Sequence, residues 1–598
     1  MLPRYIQAKL ITPKLNLANS SVIFWFCLSL VIGTIISFAA VQQTFDYQYI
    51  VHDDTRQHIF WMQRFLDPEL FPNDLIADYH QTAVPLGFKS LYRLVAWLGI
   101  KPLLFNQFIP ILLGIATTAY CFGICLEMLP IPVAGFVATV LMNQNLWGHE
   151  DIISGTPRAF LYPFLLAFLY YLLRRSLIPL TASIILLGLF YPPPMLIVAG
   201  MLLLQLVNWR SWPPKFSHDR RTYILVALGI GVTVAMLLPY LLGTSEFGPT
   251  LTLAEAQQLP ELGPQGRKAF FLDTPQQFWI WGLRSGILPS EWYLWPNKYF
   301  FLVFLLSLFL PILFAFSAFF PLTKKFTPKI LLIPQLVIVS LFWYFAAHTL
   351  LFKLYLPSRF TQHSLRIITP ILASFVLLIL LDKVLQLCQR KVGLPQGASV
   401  IAVLVVVALL VTYPVIIKVK NYNSLTNNNY HVGEVPSLYQ LLNQQPKDIM
   451  VASLAKEANN IPTYALRSVL IAGEYSNPYQ SGYYQQFRQR MGDLIQAQYS
   501  QDISTVARFI KKYDVDFWLL DESAFTSQYF RDSRLLKQFL QPGFEDDQLP
   551  NFVKEARENI KLGNTPALVS IIRECTIWRE KELILLEADC LLKAAESI

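Results

Sequence analysis

Long apolar runs, each near the length needed to cross a bilayer, alternate with short polar connections over roughly the first 420 positions. They fall at 20–42, 102–128, 131–147, 158–174, 177–191, 192–208, 222–243, 299–320, 330–350, 365–387 and 398–418. A helix needs about 20 residues to cross a ~30 Å hydrocarbon core, so the pattern predicts about eleven transmembrane helices. The runs joined at Pro130-Ile131-Pro132 and Pro192-Pro193-Pro194 are so close that the number there can change by one or two. Residues 84–100 predict a further, partly embedded helix. After Tyr422 the pattern changes: Asn423 to Asn429 reads as a polar linker. Beyond it, Ile449–Leu454, Val469–Ala472 and Val515–Leu520 read as short buried strands, alternating with helical stretches at 485–498, 502–513 and 531–541. The expected fold class is a polytopic α-helical membrane protein with a C-terminal small α/β soluble domain. Residues 1–420 form its transmembrane domain and 421–598 an extracytoplasmic one.

Composition agrees with this pattern. The chain has 598 residues, 54% hydrophobic and 15% charged, too apolar for a soluble protein. Lys plus Arg exceed Asp plus Glu by 48 to 39, but the surplus flanks the apolar runs and the tail is mildly acidic. The basic balance therefore reports membrane flanks and argues against nucleic-acid binding. Cytoplasmic loops collect Lys and Arg. An N-terminus inside, with Arg4, Lys9 and Lys14, places Arg174-Arg175, then Arg210, Lys215, Arg220 and Arg221, then Lys324, Lys325 and Lys329, and finally Arg390-Lys391 on the same side. The opposite side then holds the loops 43–85, 148–157, 244–298 and 351–364 together with the tail. The first run is too long for a signal-peptide core and reads as an uncleaved anchor. Cys27, Cys121, Cys125 and Cys388 lie in or beside apolar runs without metal-ligand spacing; Cys575 and Cys590, in the tail, can pair if that compartment is oxidising.

Chemistry concentrates on the outer side. Asp53 and Asp54 stand at the mouth of the first span, where an acid pair is costly near lipid. One carboxylate can act as general base or bind a hydroxyl acceptor while the other orients it. The bland alternative is that Asp54 caps a helix and Asp53 favours its dipole. Apolar positions 59, 60, 62, 65 and 66 predict an interfacial amphipathic helix anchored by Trp61 and Phe65. In the second outer turn, His149, Glu150 and Asp151 offer donors to a divalent cation such as Mg²⁺ or Mn²⁺, or are simply a solvated turn. Arg158, in the first turn of the next span, is placed to meet a phosphate. Lys353, Arg359, His363 and Arg366 surround a Pro-Ser turn and can hold the phosphate of a lipid-linked substrate, or snorkel to headgroups. The loop 244–298, with Trp279, Trp281, Trp292 and Trp295, is an aromatic belt or a cover over the site; the tract Gly473–Tyr484 contacts carbohydrate or packs on the membrane part. No P-loop, GxSxG elbow or dinucleotide fingerprint occurs, so no nucleotide cofactor is expected.

An acid pair just after the first span, an adjoining interfacial helix, an acidic second outer loop and a C-terminal outer region together resemble the GT-C class of integral-membrane glycosyltransferases. The resemblance implies a sugar donor on a polyprenyl phosphate or pyrophosphate, inversion at the anomeric carbon, and transfer to an acceptor glycan, lipid or protein on the extracytoplasmic face. It makes Asp53 or Asp54 the first-loop catalytic carboxylate and Glu150 or Asp151 the second-loop acid, often a metal ligand. Arg359 takes, more loosely, the place of a basic residue on the donor phosphate. No Trp-Trp-Asp-Tyr-Gly motif occurs in the tail, which argues against an oligosaccharyltransferase acting on Asn sequons. The expected location is a bacterial inner membrane, with the N-terminus cytoplasmic and the tail periplasmic. Two other readings stay open. A transporter or flippase of lipid-linked substrates predicts an internal repeat and mid-span charges, and neither is evident; a non-catalytic assembly or sensor protein would look the same in sequence.

Overall fold

The computed structural model describes residues 2–11, 19–209, 215–243, 245–294, 297–389, 395, 397–420, 430–540 and 550–596. The chain is mostly helical, and each expected apolar run carries a helix. Among the described residues, six helical segments are long and apolar enough to cross a membrane: Ser20–Phe45, Pro102–Met128, Arg220–Leu242, Lys298–Ala315, Pro328–Thr349 and Ser358–Gln389. Leu177–Phe190, Met195–Leu204 and Gly397–Thr412 are shorter apolar helices. Many of their large apolar side chains face outward, among them Phe24, Ile35 and Phe38 early in the chain and Leu228, Val234 and Leu238 later. Water does not tolerate such a surface and lipid does.

Five helices position the site: α1 (Ser20–Val41), α2 (Pro102–Met128), α3 (Pro132–Trp147), α4 (Leu161–Arg174) and α5 (Ser358–Gln389). Asn19 starts α1 by accepting the Ser21 amide, and Pro102 and Pro132 stand in the first turns of α2 and α3, where a missing N–H is harmless. α3 is the central strut, buried at every position from Val137 to Trp147 and packed on α1, α2 and α5. α2 fixes the two ends of the bundle. Near its start, Asn106 reaches the first and second loops. At its end, Glu127 pairs with Lys329 and, at 3.8 Å, with Arg174, so basic residues expected to share a side do meet there.

Two strands tie the start of the chain to the tail. β1 (Ile50–His52) and β2 (Tyr430–Val432) pair antiparallel, Val51 opposite His431. Further on lie β3 (Met450–Ser453), β4 (Ser468–Val469), β5 (Phe517–Asp521), β6 (Thr576–Glu580) and β7 (Leu583–Glu587), in one sheet of order β4-β3-β5-β7-β6. β3 is parallel to β4 and β5; β7 is antiparallel to β5 and β6. The first three strands were expected and the closing hairpin was not. Helices Ser481–Tyr499 and Ile503–Tyr513 match the expected stretches; the region from 531 to 540 breaks into short turns, and residue 541 and the linker Asn423–Asn429 lie outside the described residues. Cys575 and Cys590 form a disulfide.

The expected interfacial helix is different. A helix over Asp53–His58 is followed by a 3-10 turn, Phe60–Phe65, whose Phe60, Trp61 and Met62 are wholly buried. Phe60 packs on Phe71 and Tyr475 and so joins loop to tail, while the buried Trp61 lies against Phe65 and under Lys89 and does not face lipid.

Candidate functional site

The site grows from the end of β1. His52, not Asp54, caps the following helix: its Nδ1 accepts the Asp54 amide at 3.3 Å. Both aspartate side chains are thereby released from capping and sit in the first turn, where the amide dipoles favour negative charge.

They take different partners. Asp53 pairs with Arg56 one turn on, and His431 Nε2 lies 3.2 Å from Asp53 Oδ1, delivered by the β1–β2 pairing. Burial would raise the Asp53 pKa, but the His431 hydrogen bond and the Arg56 charge hold it well below the usual carboxylate range. Arg56 is itself held by Glu474 at 3.1 Å and by Asn460 at 2.9 Å, and Glu474 also takes Arg267 and Gln57. The Gly473–Tyr484 tract therefore packs on the membrane part; Tyr483 stacks on Tyr79 with ring centroids 3.7 Å apart. Arg56, His431 and Tyr430 line a polar cavity of about 660 Å³ together with Lys456, Glu457 and Asn460.

Asp54 faces the second loop. Arg158 Nη2 donates to Asp54 Oδ2 at 2.5 Å, while its Nη1 donates to Glu150 Oε1 at 3.2 Å and Asp151 Oδ1 at 3.0 Å. Asp151, fully buried, also accepts from Tyr162 at 2.5 Å and from Arg366 at 3.2 Å, with His149 Nδ1 3.4 Å away. Against burial, which favours the neutral acid, Arg158 and His149 hold Glu150 at about 2, and His149, Arg366 and Arg158 hold Asp151 well down. His149 is raised: burial opposes its charge, but Glu291 and Asp151 outweigh it. Arg366, wholly buried, forks onto Glu291 at 2.8 and 2.9 Å. Glu291 comes from the loop 244–298, as does Trp292, which donates to Asn145 at 3.1 Å in the interior. Trp295 lies outside the described residues.

The metal role expected of His149, Glu150 and Asp151 does not fit this arrangement. Among the described residues no group of three His, Cys, Asp or Glu side chains is placed to hold an ion. The reason is local: the carboxylates turn toward Arg158 and Arg366, and His149 lies between Asp151 and Glu291.

The expected phosphate-binding residues divide in two. Arg158 and Arg366 are clasped by carboxylates. Arg359 Nε and Nη1, His363 Nε2 and the Tyr191 hydroxyl are buried without a hydrogen-bond partner among the described residues. His363 Nδ1 lies 3.1 Å from the Tyr162 hydroxyl, and its ring is 6.2 Å from that of Tyr191, which feels the charges of Arg359, Arg158 and Asp151. Unsatisfied donors gathered beside an acidic loop are poised for an anion. Lys268, partly buried, adds a cation whose pKa burial, with Arg267 and Arg284 nearby, lowers to about 8. Sequence reasoning missed Arg56, Lys268, Glu291, His431 and Glu474. Each is a single polar residue in a short helix, turn or strand, recognisable only once the chain has folded.

No protein-family model matches the sequence. No curated protein matches it either. Solved structures do share its architecture. The archaeal oligosaccharyltransferase AglB from Archaeoglobus fulgidus, in complex with an inhibitory peptide and a dolichol-phosphate, matches with a TM-score of 0.53 at 12% identity, over 86% of this chain and 71% of that one. The apo form of the Archaeoglobus fulgidus oligosaccharyltransferase gives 0.52 at 12%, over 85% and 71%, and its complex with Zn and sulfate gives 0.50 at 12%, over 89% and 70%. At such identity the likeness is one of architecture: the chain shares the fold of these oligosaccharyltransferase structures, in line with the GT-C resemblance of its sequence.

Proposed function

We propose that the chain is a membrane glycosyltransferase that moves a sugar from a polyprenyl-phosphate-linked donor to an acceptor on the extracytoplasmic side. The observation that carries this reading is the convergence, at one end of the bundle, of the acid pair, the second-loop acids and buried donors without partners on Arg359, His363 and Tyr191. In this reading residues 421–598 are the extracytoplasmic domain, and the Cys575–Cys590 disulfide suits an oxidising compartment. The fold relative solved with a dolichol-phosphate supports a lipid-linked donor.

Chemically, the donor phosphate would sit on Arg359 and His363. A hydroxyl acceptor would enter by the cavity beside His431 and Arg56 and meet Asp53, which stays ionised. The acceptor oxygen attacks the anomeric carbon as the bond to the phosphate oxygen breaks. The lipid phosphate leaves with that electron pair, and the acceptor proton passes to Asp53 and from it to solvent. A preorganised guanidinium and N–H donor at the leaving phosphate and a placed base are what such a displacement requires. Confinement of the donor to the membrane surface removes the need for a nucleotide fold.

The test is sugar transfer from lipid-phosphate donors by the purified chain and by Asp53→Asn and Asp54→Asn. Both variants should insert and fold, and at least one should lose about 10²- to 10⁴-fold in rate. Full activity in both would remove the assignment.

A further inference from the structure

We propose that Arg158 is a built-in counter-cation: its guanidinium takes, among the loop carboxylates, the place a divalent metal ion would occupy, so the site works without a bound metal. The inference deepens the glycosyltransferase reading, because a cation at the acid cluster is what the second-loop residues were expected to recruit.

Three carboxylates from two separate loops converge on this one side chain, Asp54 at 2.5 Å, Asp151 at 3.0 Å and Glu150 at 3.2 Å. That is how acidic loops gather round an ion, with N–H donors in place of the metal. The guanidinium stays charged at every pH a protein survives, and its planar fork can serve several oxygens at once. Its position is fixed by the backbone: Thr156-Pro157 opens the 3-10 turn Pro157–Phe160 that carries it, directly after the helix Glu150–Ile153 bearing two of the acids.

The remaining ligand capacity is also engaged. Asp151 Oδ1 faces Arg158 and His149, while its Oδ2 accepts from Tyr162 and Arg366. His149 Nε2 faces Glu291 at 3.7 Å. A divalent ion needs six or more oxygens, or a compact set of nitrogen and oxygen donors, at about 2.0–2.6 Å. To bind here it would have to displace Arg158 and then sit beside its positive charge. The complex of the Archaeoglobus fulgidus oligosaccharyltransferase with Zn and sulfate makes an ion a fair expectation for this fold; in this chain the donor set answers to an arginine.

The experiment uses the full chain in detergent, treated with EDTA and then titrated with MnCl₂, read by Mn²⁺ electron paramagnetic resonance and by thermal unfolding. The wild type should take up no Mn²⁺ and show no shift in Tm, and its transfer activity should survive EDTA unchanged. Arg158→Gln, which removes the charge and leaves the acids facing one another, should take up one Mn²⁺ and gain Tm with it. Wild-type Mn²⁺ binding that Asp54→Asn or Glu150→Gln abolishes would overturn the proposal, as would a folded Arg158→Gln that binds none. Should Arg158→Gln fail to fold, the wild-type titration decides alone. Absence of transfer from every lipid-linked donor would remove the reaction and leave the ion measurement standing.

Discussion

Replacing Arg366 with Met preserves most of the stem's volume and deletes a charge that is 0% exposed. The side chain makes two bonds to Glu291, at 2.8 and 2.9 Å, and one to Asp151, at 3.2 Å. Hydrogen bonds involving an ionised group contribute roughly 1.5–3 kcal/mol each, so the gross loss is of order 4–9 kcal/mol. His149 stays within reach of both acids and recovers part of it. The net destabilisation should therefore fall near 3–5 kcal/mol, the usual cost of breaking a buried ion pair from one side. Changing Glu291→Gln in the same chain removes the stranded charge and should return about 1–2 kcal/mol, so the double variant is more stable than Arg366→Met alone. The assay is denaturant unfolding in detergent, followed by tryptophan fluorescence, for the wild type, both single variants and the double. A single variant within about 0.5 kcal/mol of wild type, or a double variant whose loss is the plain sum of the two, would refute the claim that these charges stabilise one another.

Four further outcomes are expected. Glu150 is held at about 2 and Asp53 and Asp151 are depressed; their contribution to stability is present above the unfolded values near 4 and lost as pH falls through the folded ones, so Tm should drop steeply below about pH 4, and a Tm constant down to pH 3 would contradict this. His149, whose pKa is raised, acts in the opposite sense and loses its contribution as pH rises above about 6.5, which Tm of His149→Gln against wild type between pH 6 and 8 would reveal. Arg359→Ala should raise KM for the lipid-linked donor about 10- to 100-fold with the fold intact, while Arg359→Lys recovers only part; an unchanged KM would move the phosphate elsewhere. Cys575→Ser, opening a link of sequence separation 15, should cost about 3 kcal/mol in denaturant unfolding, and no change would mean the thiols are not bonded in the folded protein.

The membrane part was legible because hydrophobicity over a span is a sum over many residues. α2 and the apolar run at 102–128 share their bounds, and α1 differs from its run by one residue. The tail was legible where a strand is a buried apolar run between turns, as at Phe517–Asp521. It was not where Leu583-Ile584-Leu585-Leu586 could equally be a helix, since periodicity cannot separate the two over four residues. At the site, the acid pair and the second-loop acids were visible because they are clustered along the chain, but their partners were not. His431 and Glu474 meet Asp53 and Arg56 only through the β1–β2 pairing and the packing of Tyr475 on Phe60. The partners of Arg158 were hidden for a related reason: its position beside a turn suggests a free cation, and only the fold brings Asp54 to it.

The short ladder between Ile50–His52 and Tyr430–Val432 also sets an order of events. A ribosome releases the first acidic pair long before it has made the strand that partners it. While the helices are being inserted, Asp53 has its neighbour Arg56 but neither His431 nor, through Arg56, Glu474. The full set of contacts around Asp53 thus forms only once residues 430–474 have been made, and a chain interrupted at residue 420 would lack it.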